Sequence, residues 1–374
     1  MRFEEIVGQE NLKEKIITLA QKKELPHAIL ILGQDGQGGL PMALALTQYI
    51  FCTNPDSYDS CGVCNSCKKI ASLQHPDLHF SFPFASEAKK TNCDAFFHEF
   101  RQFTLTHPYG NIIDLSELIG TSKQLNINVE ECHNILRKLQ IRSYEGGPKV
   151  IIIWMPEYLG KEGNTLLKFI EEPTPNTIII FVSENKDKII STILSRTQLF
   201  SLNRLNNQQI QHALEKNGVD TDVAYRIARI SEGNYRKAIE LSNGNENNYL
   251  QLTKDWLNCI YQNNGLELIK WIDKSSSLPK DISKNFLAYI LQLLENTIRL
   301  RQIGSTYIDM PAEDLKIVQL LITKGLSDIQ ISKISEEVNQ AIYYIERNAN
   351  QKILLHSLSL QIQDIIHKRV VMHF

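Results

Sequence analysis

Five short apolar runs punctuate the first half of the chain, at 28–32, 78–82, 149–154, 177–183 and 197–202. Stretches of helical character separate them: one directly after the first run, then 129–140, 162–171 and 186–194. Strands alternating with helices predict a parallel sheet covered by helices. The stretch 85–125 breaks this rhythm and reads as an insertion. Three short helical stretches follow between 206 and 241, with Gly218 as a C-terminal stop and Asp220 as an N-cap. The sequence SNGNENN at 242–248 is polar, contains glycine and cannot pack, which marks it as a linker. Beyond it the pattern is helical throughout. Leu287, Leu291, Leu294 and Ile298 share one helix face and Leu355, Leu358, Ile362 and Ile365 share another, as the core of a helix bundle requires. The expected architecture is α/β followed by all-α, with an α/β domain over 1–202, a small helical domain over 203–245 and a larger helical domain over 246–374.

A length of 374 residues agrees with two or three domains, and 43% hydrophobic with 22% charged residues is ordinary globular composition. The net charge of −2 provides no overall drive toward nucleic acid or membrane, so any DNA contact needs a local patch. Arg137, Lys138, Arg142 and Lys149 are the nearest thing to one, and they read as solvated charges. The opening MRFEEIVGQE lacks the cationic and apolar regions of a signal peptide, and no apolar run approaches the ~20 residues that span a bilayer. The expected location is the cytoplasm, with no membrane partner. In that reducing compartment clustered cysteines are metal ligands more often than disulfides.

Residues 29–45, ILILGQDGQGGLPMALA, run from an apolar strand through a glycine-rich loop into a helix. A phosphate-binding loop reads G-x-x-x-x-G-K-[ST]: glycines admit the phosphates to backbone N–H groups, the lysine reaches their oxygens and the hydroxyl holds Mg²⁺. Gly33 and Gly38 keep that spacing, with Gly36 between them, but Gly39 stands at the lysine position and Leu40 at the hydroxyl position. The second strand of such an enzyme ends in an acid. Here KVIIIWMPEYL ends in Trp154, Met155 and Pro156, and Glu157, beyond the proline, reads as a surface residue. Lysine, hydroxyl and acid are missing together, so nucleotide chemistry is expected to be lost, leaving at most weak anion affinity at the helix N-terminus.

Cys52, Cys61, Cys64 and Cys67 form C-x8-C-x2-C-x2-C, a spacing suited to one closed tetrahedral site for structural zinc. Cys93, Cys132 and Cys259 are scattered and read as small hydrophobes. Arg196, at the mouth of the last strand, would alone pass as a solvated charge.

These pieces together resemble the AAA+ clamp-loader family, and within it the delta-prime branch of bacterial DNA polymerase III. The matching residues are Val7-Gly8-Gln9-Glu10, Pro26-His27-Ala28, the four cysteines after the loop helix, Asn164 with Leu166-Leu167-Lys168 and Glu171-Glu172-Pro173, and Ile193-Leu194-Ser195-Arg196-Thr197. They cover most of the first ~200 residues in order and spacing. The resemblance implies an AAA+ sheet domain with an inserted zinc module, a lid domain and a collar-like oligomerisation domain. It also implies a subunit that binds no ATP and is no enzyme on its own. Such a subunit works with ATPase (gamma/tau-type) and delta-type partners to open a sliding clamp and place it on primed DNA. The family's arginine finger carries over to Arg196, acting in trans with Ser195 beside it; the family motif continues with cysteine, so Thr197 departs from it. Gly233, Arg236 and Ala238 resemble the lid motif in which an arginine senses nucleotide. A stand-alone zinc-containing AAA+ ATPase or nucleic-acid remodeller is the alternative, and an oligomerising scaffold with no role in ATP turnover is a third reading.

Overall fold

The computed structural model describes residues 1–86, 91–121, 123–243, 249–303 and 310–367. Of the linker expected at 242–248, residues 244–248 lie outside them, and Ser242 and Asn243 are the last residues of a helix. The chain divides into two compact units, one of residues 1–210 with 233–237 and the other of 211–232 with the described residues from 238 onward.

The first unit is built on five parallel strands: β1 (Ala28–Leu32), β2 (Leu78–Ser81), β3 (Lys149–Trp154), β4 (Thr177–Ser183) and β5 (Gln198–Ser201), in the order β2-β3-β4-β1-β5. This is the parallel sheet with flanking helices that the alternation of apolar runs predicts. β1 lies between β4 and β5, with Leu30 opposite both Phe181 and Leu199. Successive side chains point to opposite faces, so Ile29, Ile31, Ile152 and Ile180 enter one core while Leu30, Ile151, Ile153 and Phe181 enter another. The first core is covered by α1 (Glu10–Gln21), α2 (Gly39–Phe51), α3 (Asn65–Ala71), α4 (Phe97–Thr106) and α5 (Ile112–Ile119). The second is covered by α6 (Val129–Gln140), α7 (Leu167–Glu171) and α8 (Ser191–Leu194). The helical stretches expected at 162–171 and 186–194 are tighter than anticipated, with 3₁₀ turns at Gly160–Leu166 and Lys186–Lys188. Runs this short suit a connection that must turn sharply back to the sheet.

The stretch 85–125 contributes α4 and α5, which are integral to the first core. Aromatic contacts seat α4, with Phe100 4.0 Å from Phe82 and Phe103 5.3 Å from Trp154 between ring centroids, and α5 buries Leu115 in the same core.

In the described residues the last three helices before the linker are α9 (Asn207–Lys216), α10 (Thr221–Ile230) and α11 (Tyr235–Asn243). Gly218 sits at φ +86°, and the Asp220 carboxylate caps α10 by accepting from the N–H groups of Asp222 and Val223. The second unit continues with α12 (Tyr249–Tyr261), α13 (Gly265–Ser275), α14 (Lys280–Ile303), α15 (Ala312–Thr323), α16 (Asp328–Glu346) and α17 (Gln351–His367). Their shared core contains Leu287, Leu294, Leu355, Leu358 and Ile362, with Leu291, Ile298 and Ile365 packed at its edge. One charged group is buried there. Asp314 of α15 accepts hydrogen bonds from Tyr289 of α14 and from Arg226 Nε of α10, the latter at 2.9 Å, which ties α10 to the bundle. No helix among the described residues is long and apolar enough to cross a membrane.

Candidate functional site

The carboxyl ends of β1, β3 and β4 meet the glycine loop, the edge of a parallel sheet where ligands bind. Gly36 and Gly38 adopt φ of +74° and +93°, conformations that glycine reaches without strain. The loop has the shape expected of it, and side chains fill it. A Cβ at Gly36 would lie 2.0 Å from Asn234 Oδ1, and one at Gly38 would lie 3.0 Å from the Tyr109 ring. The cavity left between the loop, Tyr109, Trp154 and Glu184 is about 20 Å³, room for about one water molecule. The loop's donors are also reduced. Gln37 Oε1 takes the N–H of Gln34 at 3.0 Å, and Pro41, in the first turn of α2, has no N–H to offer.

Three carboxylates surround this loop. Glu157, expected at the surface, is a staple between the ends of β3 and β4: one oxygen accepts from Ser183 Oγ at 2.5 Å and from the N–H groups of Glu184 and Asn185 at 2.7 and 2.8 Å. The left-handed Met155 turns the chain so that the carboxylate points back at β4. Glu184 lines the cleft, and burial, with Asp35 and Glu157 nearby, pushes its carboxyl up to about 7. Asp35, inside the loop, accepts from Asn234 Nδ2 at 3.0 Å. A nucleotide loop concentrates positive potential; this one is ringed by acids. Sequence reasoning passed over Asp35 and Glu184, although an acid within the glycine loop was itself a visible sign.

Arg236 stands at the same cleft. Its Nε and Nη2 each donate to one oxygen of Asp114, both at 2.6 Å, and its Nη1 lies 3.7 Å from Asp35. Burial alone would raise the Asp114 carboxyl, but the Arg236 guanidinium and the Asn111 N–H outweigh it and hold it below the usual range. Gly233 fits close to Arg204, and Ala238 is fully buried.

The four cysteines converge. Cys52 ends α2, Cys64 caps α3 and Cys67 lies in its first turn. Their sulfur atoms all lie within 4.8 Å of one another. The Cys61 and Cys67 sulfurs are 3.9 Å apart, and a tetrahedral ion with ~2.3 Å bonds to sulfur needs about 3.8 Å. Backbone N–H groups of Cys61, Cys64 and Cys67 point at the sulfurs of Cys52, Cys61 and Cys64 at 3.3–3.4 Å, as donors that favour thiolate. For Cys64, burial pushes the thiol up, but donors from Thr53 and Cys67 outweigh it and bring it to about 6. The residues fit a closed four-thiolate metal site. It is pinned to the N-terminus, where Asp59 accepts from the N–H groups of Phe3 and Glu4 at 3.1 and 2.9 Å.

Ser195 and Arg196 sit at the end of α8, exposed, before β5. Arg196 Nε donates to Glu171 at 2.5 Å and Nη1 to Ser195 Oγ and the Thr192 carbonyl, both at 3.1 Å. The neighbouring family residues are tied into the same corner: Thr192 Oγ1 donates to Asn164 and His27 bonds the Ile170 carbonyl. The basic group around α6 forms no patch. Arg137 and Arg142 are exposed and Lys138 pairs with Asp94, but Lys149, expected in solvent, is buried and donates to the carbonyls of Leu139 and Ile141 at the C-terminal end of α6. A cation there complements the negative end of the helix.

A five-stranded parallel sheet, a glycine loop with Gly39 and Leu40 where lysine and hydroxyl would stand, a cysteine cluster at the end of the loop helix and an arginine before the last strand define an AAA+ module of the clamp-loader class. The family model described as DNA polymerase III, delta subunit, matches residues 8–206, and the chain belongs to that family. It is similar to DNA polymerase III subunit delta' of Bacillus subtilis, 29% identical over 226 residues that make up 60% of this chain and 56% of that protein. The delta' subunit of Buchnera aphidicola subsp. Schizaphis graminum is 24% identical over 71% of each chain. Subunit tau of Escherichia coli is 26% identical over 64% of this chain but only 32% of its own length. The chain thus spans about half of the first relative and a third of the last.

Two outcomes follow from this geometry. Elemental analysis of protein purified without chelator should find one zinc per chain, and Cys64→Ser should lose most of it and loosen residues 52–67; well under one zinc in the wild type contradicts the fit. For Glu184, a raised folded pKa means the folded state holds its proton where the unfolded state has lost it, so stability falls as pH rises from about 4.5 toward 7. Glu184→Gln should therefore be about 1 kcal/mol more stable than wild type near pH 8 and no more stable near pH 4, and equal melting curves at both overturn it.

Proposed function

We propose that this chain is the ATP-inactive, delta-prime-type subunit of a DNA polymerase III clamp loader, and that it lends Arg196 to the ATP site of the adjacent subunit. The observation that carries the reading is a contrast within one module. The chain's own loop lacks lysine, hydroxyl and Mg²⁺ ligand and has room for about one water, whereas Arg196 stands exposed before β5 with Ser195 beside it. An arginine at that position, with no nucleotide of its own to serve, finds its phosphate across an interface.

On this reading Cys52, Cys61, Cys64 and Cys67 hold structural zinc, and no ATP is bound at Gly33, Gly36 and Gly38. The helices at 203–245 act as the lid and those at 246–374 as the collar that joins gamma/tau-type and delta-type subunits. The assembly opens a sliding clamp in the cytoplasm and sets it on primed DNA, which this chain meets through the complex. The filled glycine loop speaks against a stand-alone ATPase.

Chemically, charge spreads over the γ-phosphoryl oxygens as that group departs, and a guanidinium fixed beside them stabilises it; such fingers are worth about 10³–10⁵ in rate. One site among several is affected, so total turnover falls less. Two measurements test the reading. Calorimetry of the isolated chain with Mg-ATP should show no binding, and a micromolar dissociation constant contradicts an inactive loop. In the reconstituted loader Arg196→Ala should leave assembly and zinc content intact while lowering clamp loading and, less steeply, ATPase activity; wild-type values for both remove Arg196 from the mechanism.

A further inference from the structure

The cleft above the glycine loop is closed by residues between α4 and α5, a segment to which neither the family nor the motifs assign a role. Tyr109 lies over Gly38, accepts the Val7 N–H at 2.9 Å and meets Tyr235 edge-on at 4.8 Å between ring centroids. Five residues later Asp114 holds Arg236 through two parallel hydrogen bonds, the geometry by which a guanidinium grips a carboxylate or a phosphate. Asp114 is itself fixed. It forms a capping box with Asn111, whose N–H donates to Asp114 Oδ2 at 2.8 Å while Asn111 Oδ1 accepts from the N–H groups of Ile113 and Asp114. Gly110 lets the segment turn this tightly, because a Cβ there would lie 2.5 Å from the Phe103 ring.

We propose that residues 107–114 are an internal plug of the degenerate nucleotide pocket, with Tyr109 filling the space above the glycine loop and the Asp114 carboxylate occupying an anion site built around Arg236. The site's ligand class is a small phosphate-like anion, and its resident occupant is a side chain. The plug keeps residues 233–237 on the sheet module with no nucleotide, through the Arg236–Asp114 pair and the Tyr109–Tyr235 contact. This inference rests on the reading of the loop as ATP-inactive and adds the element that replaces the nucleotide.

Removing the carboxylate should expose the site to anions from solution. In the full chain, Asp114→Ala should raise amide hydrogen exchange across 233–237 about tenfold or more and lower the melting temperature. Millimolar inorganic phosphate should reverse both effects, because it supplies the lost anion to Arg236. The rescue should vanish in Asp114→Ala/Arg236→Gln and be small in wild type. Should Asp114→Ala fail to fold, Asp114→Asn keeps the volume and the cap and still removes the charge. Unchanged exchange at 233–237, or phosphate stabilising wild type and variant equally, overturns the plug. Mg-ATP binding to wild type instead overturns the inactive reading, whatever Asp114→Ala does, so the two failures are separable.

Discussion

A parallel strand that stops at Gly33 and a helix that starts at Gly39 leave, at the carboxyl edge of the sheet, backbone N–H groups and a positive helix end in need of acceptors. In a nucleotide-binding loop the phosphates supply them, and everything around the loop can stay open. Here Gln37 within the loop accepts one of these N–H groups, that of Gln34, while Asp35, Glu157 and Glu184 stand around the loop with other roles. Glu157 sits on a left-handed turn after β3 so that its carboxylate can gather the N–H groups at the end of β4. The glycines have changed their reason for being small. A Cβ at Gly33 would strike Leu202 at 2.5 Å and one at Gly39 would lie 2.9 Å from Val182, so packing alone demands glycine at both positions.

Apolar runs buried between two helical layers cannot be anything but strands of a covered sheet, and all five were legible in the sequence. So were the caps at Gly218 and Asp220, because their chemistry is local. The cysteine cluster was legible for a different reason, since short spacings constrain sulfur positions whatever the rest of the chain does. The contents of 85–125 were not. Its helix α4 is held by Phe82, Phe100, Phe103 and Trp154, residues from distant parts of the chain whose meeting no local pattern encodes. Lys149 was misjudged for a related reason: its partners are carbonyls at the C-terminal end of α6, visible only once β3 and α6 pack together. Arg236 was marked by its motif, yet its partner Asp114 lies 122 positions away.

The cysteine cluster and the glycine loop are the two ends of one helix. α2 begins at Gly39 beneath the filled cleft and ends at Cys52 in the thiolate cluster, and between them nearly every residue is buried. Such a helix has no exposed face to give way and is anchored at both ends. It therefore ties the glycine loop firmly to the cysteine cluster across the first unit. The same rigidity extends through the Asp59 carboxylate, which clamps the cysteine loop to the N-terminal backbone.

That rigidity bears on how Arg196 can act. Its partner within the chain is Glu171, and both side chains are largely solvated, at 36% and 48% exposure. Exposed pairs of this kind are worth about 0–1 kcal/mol, so the arginine exchanges one anion for another at little energetic cost. A phosphate across an interface offers more charge and more acceptor oxygens than a single carboxylate, and it competes well for the guanidinium. The backbone that carries Arg196 moves little, because Thr192 and Asn164 tie α8 to the turn before α7 and Ile193 is fully buried beneath it. A side chain that is free to change partners, mounted on a backbone that is not free to move, is what action at a neighbour's site calls for. On the proposed reading, a subunit with no nucleotide cycle of its own would supply that mount in every state of the assembly.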